Sequence, residues 1–335
     1  MRGLVTVFGG SGFIGSQTVR ALARRQWRIR VAVRRPWRAY RLRLLGDVGQ
    51  IEIVQANVRA PETVERALEG AEGVVYSVGT LFESGRQDFA NLQAAGPRLA
   101  AEGAARRGIE TFVLVSAIGA DPSSASRYAR TKAEGEAAVR AALPDAVILR
   151  PSVVFGPEDR FFNRFAAMAV RSPALPLIGG GATRMQPVFV ADVARAVAAA
   201  LGEPDAAGAT FELGGPNIYS FRELMEFTLK EIGRRRLLVP VPFGVARAIG
   251  AVGDLAAALR APLPMIPEPP LTSDQVELLR RDNVVAAGAA GLAELGVPAA
   301  ALEPIAPTYL YRYRKGGQYA DLSPPEPAAA YPGEA

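Results

Sequence analysis

The chain has 335 residues, enough for one large α/β domain with a smaller appended part, and it contains no cysteine and no histidine. These two absences exclude disulfides, zinc sites built on Cys or His, cysteine-held iron–sulfur clusters and a Ser-His-Asp triad. The formal net charge is +6, but eleven arginines and no acidic residue precede Asp47. The N-terminal region is therefore predicted to have a basic face. This face is a solvated surface rich in arginine or, alternatively, a contact for a nucleotide phosphate, an acidic subunit or a lipid surface.

The first half of the chain alternates short apolar runs with longer stretches of helical periodicity. Strands are predicted at Leu4–Phe8, Ile29–Val33, Ile51–Gln55, Gly73–Tyr76, Thr111–Ser116 and Ala146–Leu149. Helices are predicted between them at Ser16–Arg25, Pro61–Glu69, Asp88–Arg107 and Ser124–Ala142. Strands joined by helices form parallel sheets with right-handed crossovers, so we expect an α/β fold, a doubly wound parallel sheet of the Rossmann type with helices on both faces.

A glycine-rich turn joins the first strand to the first helix. In VTVFGGSGFIGSQTVRALA, Gly9, Gly12 and Gly15 form a G-x-x-G-x-x-G pattern directly after the strand. Glycines at these positions allow a tight turn and let the backbone approach a pyrophosphate, while the helix N-terminus offers unpaired N–H groups. We therefore predict dinucleotide binding, with Ser11 of the same turn among the contacts.

The end of the second strand indicates which dinucleotide is bound. NAD-selective sites usually place Asp or Glu there, whereas VAVRRP places Arg34 and Arg35. A guanidinium can pair with the 2′-phosphate of NADP(H), so NADPH is the predicted cofactor; alternatively, both arginines belong only to the basic face. Asn57 and Val58, after the third strand, are predicted beside the adenine ring, and Gly79, after the fourth, beside the pyrophosphate or the nearer ribose.

A Tyr-x-x-x-Lys pattern points to a nicotinamide site. Tyr128 and Lys132 share a helix face, and Ser116 ends the fifth strand, at the sheet edge where ligands bind. With GGSGFIG, LVSAIGA, YARTKAEGE and LRPSVVFGP in this order, the chain resembles the extended, epimerase-like branch of the short-chain dehydrogenase/reductase superfamily. The resemblance implies that Tyr128 is a general acid/base, that Lys132 binds the ribose and lowers the tyrosine pKa, and that Ser116 orients a substrate carbonyl or hydroxyl. Alternatively, Tyr128 and Lys132 only bind the ribose. Pro151 and Val153 of LRPSVVFGP complete the predicted cofactor site.

Beyond residue 150 the alternation of strands and helices loosens. We predict an NADP(H)-binding domain over residues 1–150 completed by a return near 186–202, a smaller α/β part for substrate or partner docking over 151–315, and a disordered tail over 316–335. The stretch 243–270 is semi-apolar with few charges, which indicates an amphipathic helix docked on protein or, less favoured, at a membrane interface. The sequence has no long uncharged apolar run and no secretory pattern, so we expect a cytoplasmic protein that does not span a membrane.

Two classes of ligand are not expected. The carboxylates show no metal-ligand spacing, so no metal site is predicted. The arginines are not interleaved with stacking aromatics and form no recognition-helix pattern, so nucleic acid is not a predicted partner.

A second resemblance extends through the C-terminal part. The segments SSASRYARTKAEGE, ILRPSVVFGPEDRFFNRFAAM, QPVFVADVARA, LTSDQVELLRRDNVV and YLYRYRKGGQ resemble, over residues 3–315, the short-chain-dehydrogenase-like accessory subunit of respiratory complex I, the alpha-subcomplex subunit nine family, in a bacterial form. This resemblance implies a tightly held structural NADPH that is not turned over, and a peripheral position on the cytoplasmic side of the inner membrane beside the quinone-binding region of complex I. It also implies that the cofactor contacts are Gly9, Gly12, Phe13, Ile14, Gly15, Arg34, Tyr128 and Lys132.

Two other functions stay open at this point. The intact set of Ser116, Tyr128 and Lys132 is compatible with a free NADP-dependent oxidoreductase or an epimerase/dehydratase. A regulator that reports NADPH occupancy to a partner is the other alternative. A further predicted contact of the accessory subunit is an anionic membrane surface, which the basic N-terminal face and the 243–270 stretch would meet.

Overall fold

A seven-stranded parallel sheet forms the centre of the molecule. The computed structural model describes residues 2–260, 265 and 268–319. The strands are β1 Arg2–Phe8, β2 Trp27–Val33, β3 Ile51–Gln55, β4 Gly73–Tyr76, β5 Thr111–Val115, β6 Val147–Pro151, β7 Val154–Phe155, β8 Ala174–Ile178, β9 Arg184–Met185, β10 Val188–Phe189, β11 Thr210–Leu213, β12 Tyr219–Ser220 and β13 Leu237–Val241. The central sheet has the order β11-β6-β5-β4-β1-β2-β3, with every neighbouring pair parallel. The predicted Rossmann-type sheet is confirmed.

Helices cover both faces of this sheet. They are α1 Phe13–Arg24, α2 Pro61–Leu68, α3 Gly96–Arg106, α4 Arg127–Ala142, α5 Phe162–Arg171, α6 Val190–Ala200, α7 Phe221–Glu231, α8 Phe243–Leu259, α9 Ser273–Leu278 and α10 Pro307–Leu310. Because side chains alternate along a strand, Val5 and Val7 of β1 pack on the side of α1 and α6, whereas Phe8 packs on the side of α2, α3 and α4. Both faces of the sheet are thus buried.

The part of the chain after β6 divides between the sheet and a second core. Helix α6 packs against α1, and β11 joins the sheet beside β6, so the predicted return near 186–202 extends to Leu213. A separate core of aromatic and aliphatic side chains joins α5, β8, α7 and α10. Strand β13 pairs in parallel with β8, and β12 pairs antiparallel with β9, which gives the smaller part its α/β character.

The C-terminal region ends in an exposed helix and short turns. Helix α8 occupies most of the predicted amphipathic stretch; residues 261–264 and 266–267 of that stretch lie outside the described residues. Of the predicted disordered tail, Gly317–Tyr319 form one 3₁₀ turn, and residues 320–335 lie outside the described residues. In the described part of the chain, no helix is long and apolar enough to cross a membrane.

Candidate functional site

The glycine-rich turn after β1 forms a cradle of backbone. Gly9 has φ +80°, in the left-handed region that glycine adopts without strain. A Cβ on Gly15 would lie 2.2 Å from the carbonyl oxygen of Gly9, so only a glycine permits this approach of helix and turn. Gly12 is the N-cap of α1 and has no side chain to accept the first N–H groups of the helix. The first turn of α1, which includes Phe13 and Ile14, therefore presents free N–H donors and a positive dipole end to an anion.

Arginines converge at the end of β2. Arg34 donates from Nη2 to Oε1 of Gln87 (2.9 Å), and burial together with the charges of Arg35 and Arg59 lowers the pKa of Arg34. Arg59 follows β3, the neighbour of β2, and its Nε is buried without a hydrogen-bond partner. None of these three arginines has an ion pair with a described residue. Mutually repelling cations with an orphaned donor are suited to binding an anion such as a 2′-phosphate.

The loop after β3 is held in shape by its own hydrogen bonds. The side-chain oxygen of Asn57 accepts from the N–H of Arg59 (3.2 Å), and the backbone N–H of Asn57 donates to Oγ1 of Thr63 (2.9 Å). Val58 is buried in the core on the α2 side. Both residues lie at the carboxyl edge of the sheet, next to the arginines, but that they contact an adenine ring stays a prediction.

The loop after β4 meets the helix that carries the lysine. The position that a Cβ on Gly79 would take lies 3.8 Å from Nζ of Lys132. Gln93, in a π-helical stretch before α3, donates to the carbonyl of Thr80 (2.9 Å) and accepts from Oγ1 of Thr131 on α4 (3.0 Å). One buried amide thus fixes the β4 loop against α4, and π-helical turns of this kind are frequent at functional sites.

Lys132 lies next to Tyr128 and is bound to the end of β5, where Ser116 follows Val115. Nζ of Lys132 donates to the carbonyl of Val115 (3.1 Å) and lies 5.8 Å from the centre of the Tyr128 ring. Oγ of Ser116 is buried and has no hydrogen-bond partner, while its N–H donates to Leu149 (2.7 Å). An unpartnered hydroxyl, one residue after the Val115 carbonyl that binds Lys132, can bind a carbonyl or ribose hydroxyl of a ligand.

The protonation of Tyr128 is set by its surroundings. Burial raises the pKa of Tyr128 to about 12, with a further contribution from the charge of Asp274. Burial also lowers the pKa of Lys132 to about 8, although Glu136 opposes this shift. Phe89 packs edge-on against the tyrosine ring (5.7 Å between centroids). In the unliganded protein, burial therefore favours the neutral tyrosine; that Lys132 lowers the tyrosine pKa, as the resemblance implies, stays a prediction.

Asp274 binds the N-terminus of α4 from a distant part of the sequence. Its carboxylate accepts hydrogen bonds from Oγ of Ser126 (2.8 Å) and from the backbone N–H groups of Arg127 (2.6 Å) and Tyr128 (3.2 Å). The next residue, Gln275, donates from Nε2 to the carbonyl of Leu81 in the β4 loop (3.1 Å). Helix α9 therefore holds both elements that present the predicted nicotinamide site.

Another C-terminal residue supports the segment after β6. Oδ1 of Asn283 accepts from the N–H of Val153 (3.0 Å) and from Oγ of Ser152 (2.7 Å). The carbonyl of Pro151 accepts from the N–H of Ile118, which lies two residues beyond Ser116 (3.0 Å). Pro151 and Val153 are thus fixed next to the β5 loop, and their contact with a cofactor stays a prediction.

Comparisons with known proteins agree with this architecture. Residues 5–214 match the NAD dependent epimerase/dehydratase family. The chain is 35% identical over 319 residues to NADH dehydrogenase [ubiquinone] 1 alpha subcomplex subunit 9, mitochondrial, of Arabidopsis thaliana, covering 94% of this chain and 79% of the relative.

The chain belongs to the epimerase-like alpha subcomplex subunit 9 family. Its members include the NADH-ubiquinone oxidoreductase 40 kDa subunit of Neurospora crassa, which is 30% identical and covers 95% of this chain and 81% of the relative. A ceramide reductase of Caulobacter vibrioides is 33% identical over 77% of this chain and 80% of its own length. The solved structure of MoeE5 in complex with UDP-glucose and NAD has the same fold (TM-score 0.67, 18% identity), covering 92% of this chain and 97% of that chain.

Three residues of this subunit 9 family member were not predicted to contribute to the site. Arg59 follows β3, and β3 lies beside β2 in the sheet. Because Arg34 follows β2, the arginine after each of the two neighbouring strands is a signal in the sequence that could have indicated Arg59. Asp274 and Asn283 act across more than 100 residues of sequence, and no local pattern indicates their contacts. Among the described residues, no group of acidic side chains is placed to hold a metal ion.

Proposed function

We propose that the chain is an NADPH-binding accessory or assembly subunit of NADH:quinone oxidoreductase, complex I, and that the nucleotide is mainly a structural ligand. The observation that carries this proposal is the extent of the similarity to the subunit 9 relatives, which continues well beyond the epimerase-family match at residues 5–214. A relative that shared only the dinucleotide fold would not need to match the C-terminal part, where α8 and α9 lie.

The arginines at the end of β2 and β3 favour NADPH over NADH. A ribose 2′-OH calls for an acceptor, whereas Arg34, Arg35 and Arg59 offer only donors and positive charge. The backbone N–H groups behind Gly9, Gly12 and Gly15 would hold the diphosphate.

The nicotinamide end favours holding the nucleotide over turning it over. A bound NADPH supplies a hydride at its nicotinamide ring, and an efficient proton donor or acceptor for that chemistry has a pKa near the working pH. In the unliganded protein burial raises the pKa of Tyr128 to about 12, and a neutral hydroxyl is suited to hydrogen bonding to a ribose. Lys132 is buried beneath it and oriented by the Val115 carbonyl.

The outer face of α8 is the surface we assign to the complex I partner. Its inner side, which includes Gly250 and Gly253, packs so closely on residues 271–273 that a Cβ on Gly253 would lie 1.8 Å from the carbonyl oxygen of Leu271. Its outer side exposes five large apolar side chains, at Val245, Ile249, Val252, Leu255 and Leu259. A row of apolar side chains on a solvent-exposed helix face is typical of a docking surface. The partner would be complex I subunits near the quinone-binding region, on the cytoplasmic side of the inner membrane.

The test is co-isolation. In a mild-detergent preparation of the quinone oxidoreductase we expect this chain in stoichiometric amount, with NADPH that survives dilution. Val252→Asp or Leu255→Asp should release it, whereas Val170→Asp, at an exposed position of α5, should not. Absence of the chain from the intact complex would contradict the proposal.

A free NADP-dependent oxidoreductase or epimerase/dehydratase is the second candidate. The similarity to the Caulobacter ceramide reductase and the unpartnered hydroxyl of Ser116 favour it. In that case Tyr128→Phe should abolish a measurable turnover while NADPH stays bound. No turnover across a broad panel of carbonyl substrates would count against this candidate.

A further inference from the structure

The segment after β2 is built with a three-residue repeat. Two 3₁₀ helices, Pro36–Arg38 and Tyr40–Leu45, make up most of it. Since a 3₁₀ helix has three residues per turn, every third side chain faces the same way. Ala39 and Leu42 are buried against the core, and Leu45 packs on the same cluster. The segment is therefore anchored along one face, and its two other faces point to solvent.

Large apolar side chains occupy those outward faces. Trp37 is 64% exposed, Tyr40 53% and Leu44 87%, and Val48 just beyond is fully exposed. Packing of the fold does not use these side chains, and four of them within twelve residues exceed the scattered exposure that is ordinary on a protein surface. We call this region, residues 37–48, the 37–48 surface.

Arginines are interleaved with these apolar side chains. Arg38, Arg41 and Arg43 are exposed, and the segment holds one acid, Asp47. Arg41 is 3.6 Å from Glu158, and the Arg43 guanidinium lies over the Tyr40 ring. The Arg38 side chain has no ion pair with a described residue. The arginines of this segment therefore do alternate with aromatic side chains. This corrects the statement in the sequence analysis that arginines and aromatics are not interleaved, on which the exclusion of nucleic acid was based.

The mixture of side chains matches a lipid headgroup region. Tryptophan and tyrosine have an apolar body with a polar edge and collect at membrane interfaces, and arginines attract anionic headgroups. Leu44 and Val48 are purely aliphatic and would gain nothing from stacking on bases. The cores of protein interfaces are depleted of charge, whereas the 37–48 surface carries three arginines within the six residues from Arg38 to Arg43.

We propose that the 37–48 surface docks on an anionic lipid bilayer. Trp37 and Tyr40 would lie at the headgroup level, Leu44 and Val48 would insert among the upper acyl carbons, and the arginines would pair with lipid phosphates. This proposal deepens the proposed function, on which it rests for the presence of a membrane beside the protein.

The experiment uses Trp37 as its own reporter. The chain contains two tryptophans, and Trp27→Phe leaves Trp37 as the only one. Vesicles of phosphatidylcholine with phosphatidylglycerol should shift Trp37 emission to the blue and expose it to quenching by brominated lipid, while vesicles of phosphatidylcholine alone should not. Salt should reverse the shift, because charge attraction between exposed groups is screened.

Variants locate the contact. In the Trp27→Phe background, Arg38→Gln and Arg43→Gln should each weaken vesicle binding by roughly fivefold, and Leu44→Ser should reduce the blue shift. The matched control Arg66→Gln, which changes an exposed arginine on α2, should leave vesicle binding unchanged. NADPH binding, measured on the same samples, reports whether each variant is folded.

Three results would overturn the proposal. The first is a Trp37 emission wavelength that does not change with anionic vesicles, and the second is an equal shift with neutral vesicles. The third is vesicle binding by the variants of the 37–48 surface that equals that of the Arg66→Gln control. Saturable binding of a DNA or RNA oligonucleotide that displaces the vesicles would assign the surface to nucleic acid instead. If the chain is absent from complex I but binds vesicles through Trp37, the proposed function fails and this inference stands.

Discussion

The two ends of the candidate site differ in whether their ionisable side chains are favoured in the charged or the neutral form. At the adenosine end, Arg34, Arg35 and Arg59 repel one another without an acidic partner among the described residues. At the nicotinamide end, Lys132 is buried and its charged form is disfavoured, while burial favours the neutral form of Tyr128. The first arrangement attracts an anion and the second orients neutral groups, which together describe a site for holding a nucleotide.

The largest effect is expected in the turn that joins the two ends. Gly15→Ala would place a methyl group 2.2 Å from a backbone oxygen of Gly9, so the turn must open and the diphosphate cradle is lost. We expect no measurable NADPH binding by calorimetry and a fall of about 1–3 kcal/mol in the free energy of unfolding. Gly244→Ala is the control, because no atom lies within 4 Å of its Cβ position. If Gly15→Ala bound NADPH with wild-type affinity, the glycine turn would not be part of the nucleotide site.

The adenosine end should respond to its arginines one at a time. Arg34→Gln and Arg59→Gln should each weaken NADPH binding about 10- to 100-fold while NADH binding changes little, since each removes one charge-assisted contact to the 2′-phosphate. Titrations of both nucleotides by fluorescence measure the ratio, with Arg66→Gln as the control. Arg34→Asp should move the preference toward NADH. Equal losses of affinity for NADPH and NADH would mean that the arginines do not bind the 2′-phosphate.

The nicotinamide end should respond to pH through Lys132. Its folded pKa of about 8 lies below the ordinary 10.5, so the unfolded chain binds the proton more tightly and the folded protein gains stability as pH rises through this window. Relative to Lys132→Met, the free energy of unfolding of the unliganded protein should increase by about 3 kcal/mol between pH 8 and 10.5. Urea unfolding at several pH values measures this, with the exposed Lys230→Met as the control. A constant difference would show that Lys132 is not desolvated.

The smallest effect concerns the contact from α9 to the nicotinamide end. Asp274→Asn removes the charge and one of two accepting oxygens at the N-terminus of α4, which should lower the free energy of unfolding by about 1 kcal/mol. It should also bring the pKa of Tyr128 closer to 10, which NMR of ¹³Cζ-labelled tyrosine follows once Tyr128→Phe has assigned the signal. Asp282→Asn, whose carboxylate binds Arg184 instead, should leave that signal unmoved.

The sequence predicted the adenosine end better than the nicotinamide end, for a physical reason. The glycine turn and Arg34 are indicated by the local order of a strand, a turn and a helix. The one difference at this end is that helix α1 begins at Phe13, directly after the N-cap Gly12 and three residues before its predicted start. The pKa of Tyr128 depends on burial and on Asp274, which a fold must bring from 146 residues away.

The same distinction holds for the sheet. Five of the six predicted strands end within a residue of where the structure ends them, and the sixth, β6, continues to Pro151, because runs of Val, Ile and Leu mark strands buried on both faces. The edge strand β11 was missed. Its four residues, TFEL, include a glutamate and are too short to show a pattern.

We propose that the protein holds NADPH without turning it over, and this can be measured directly. The most direct measurement loads the purified chain with NADPH that carries two deuterium atoms at nicotinamide C4. The loaded chain is incubated with a panel of ketones, aldehydes and quinones, and the extracted nucleotide is analysed by mass spectrometry. We expect one NADPH per chain after extensive dialysis, with the deuterium retained. Loss of the label in the wild type but not in Tyr128→Phe, or recovery of no NADPH from the chain after dialysis, would contradict this proposal.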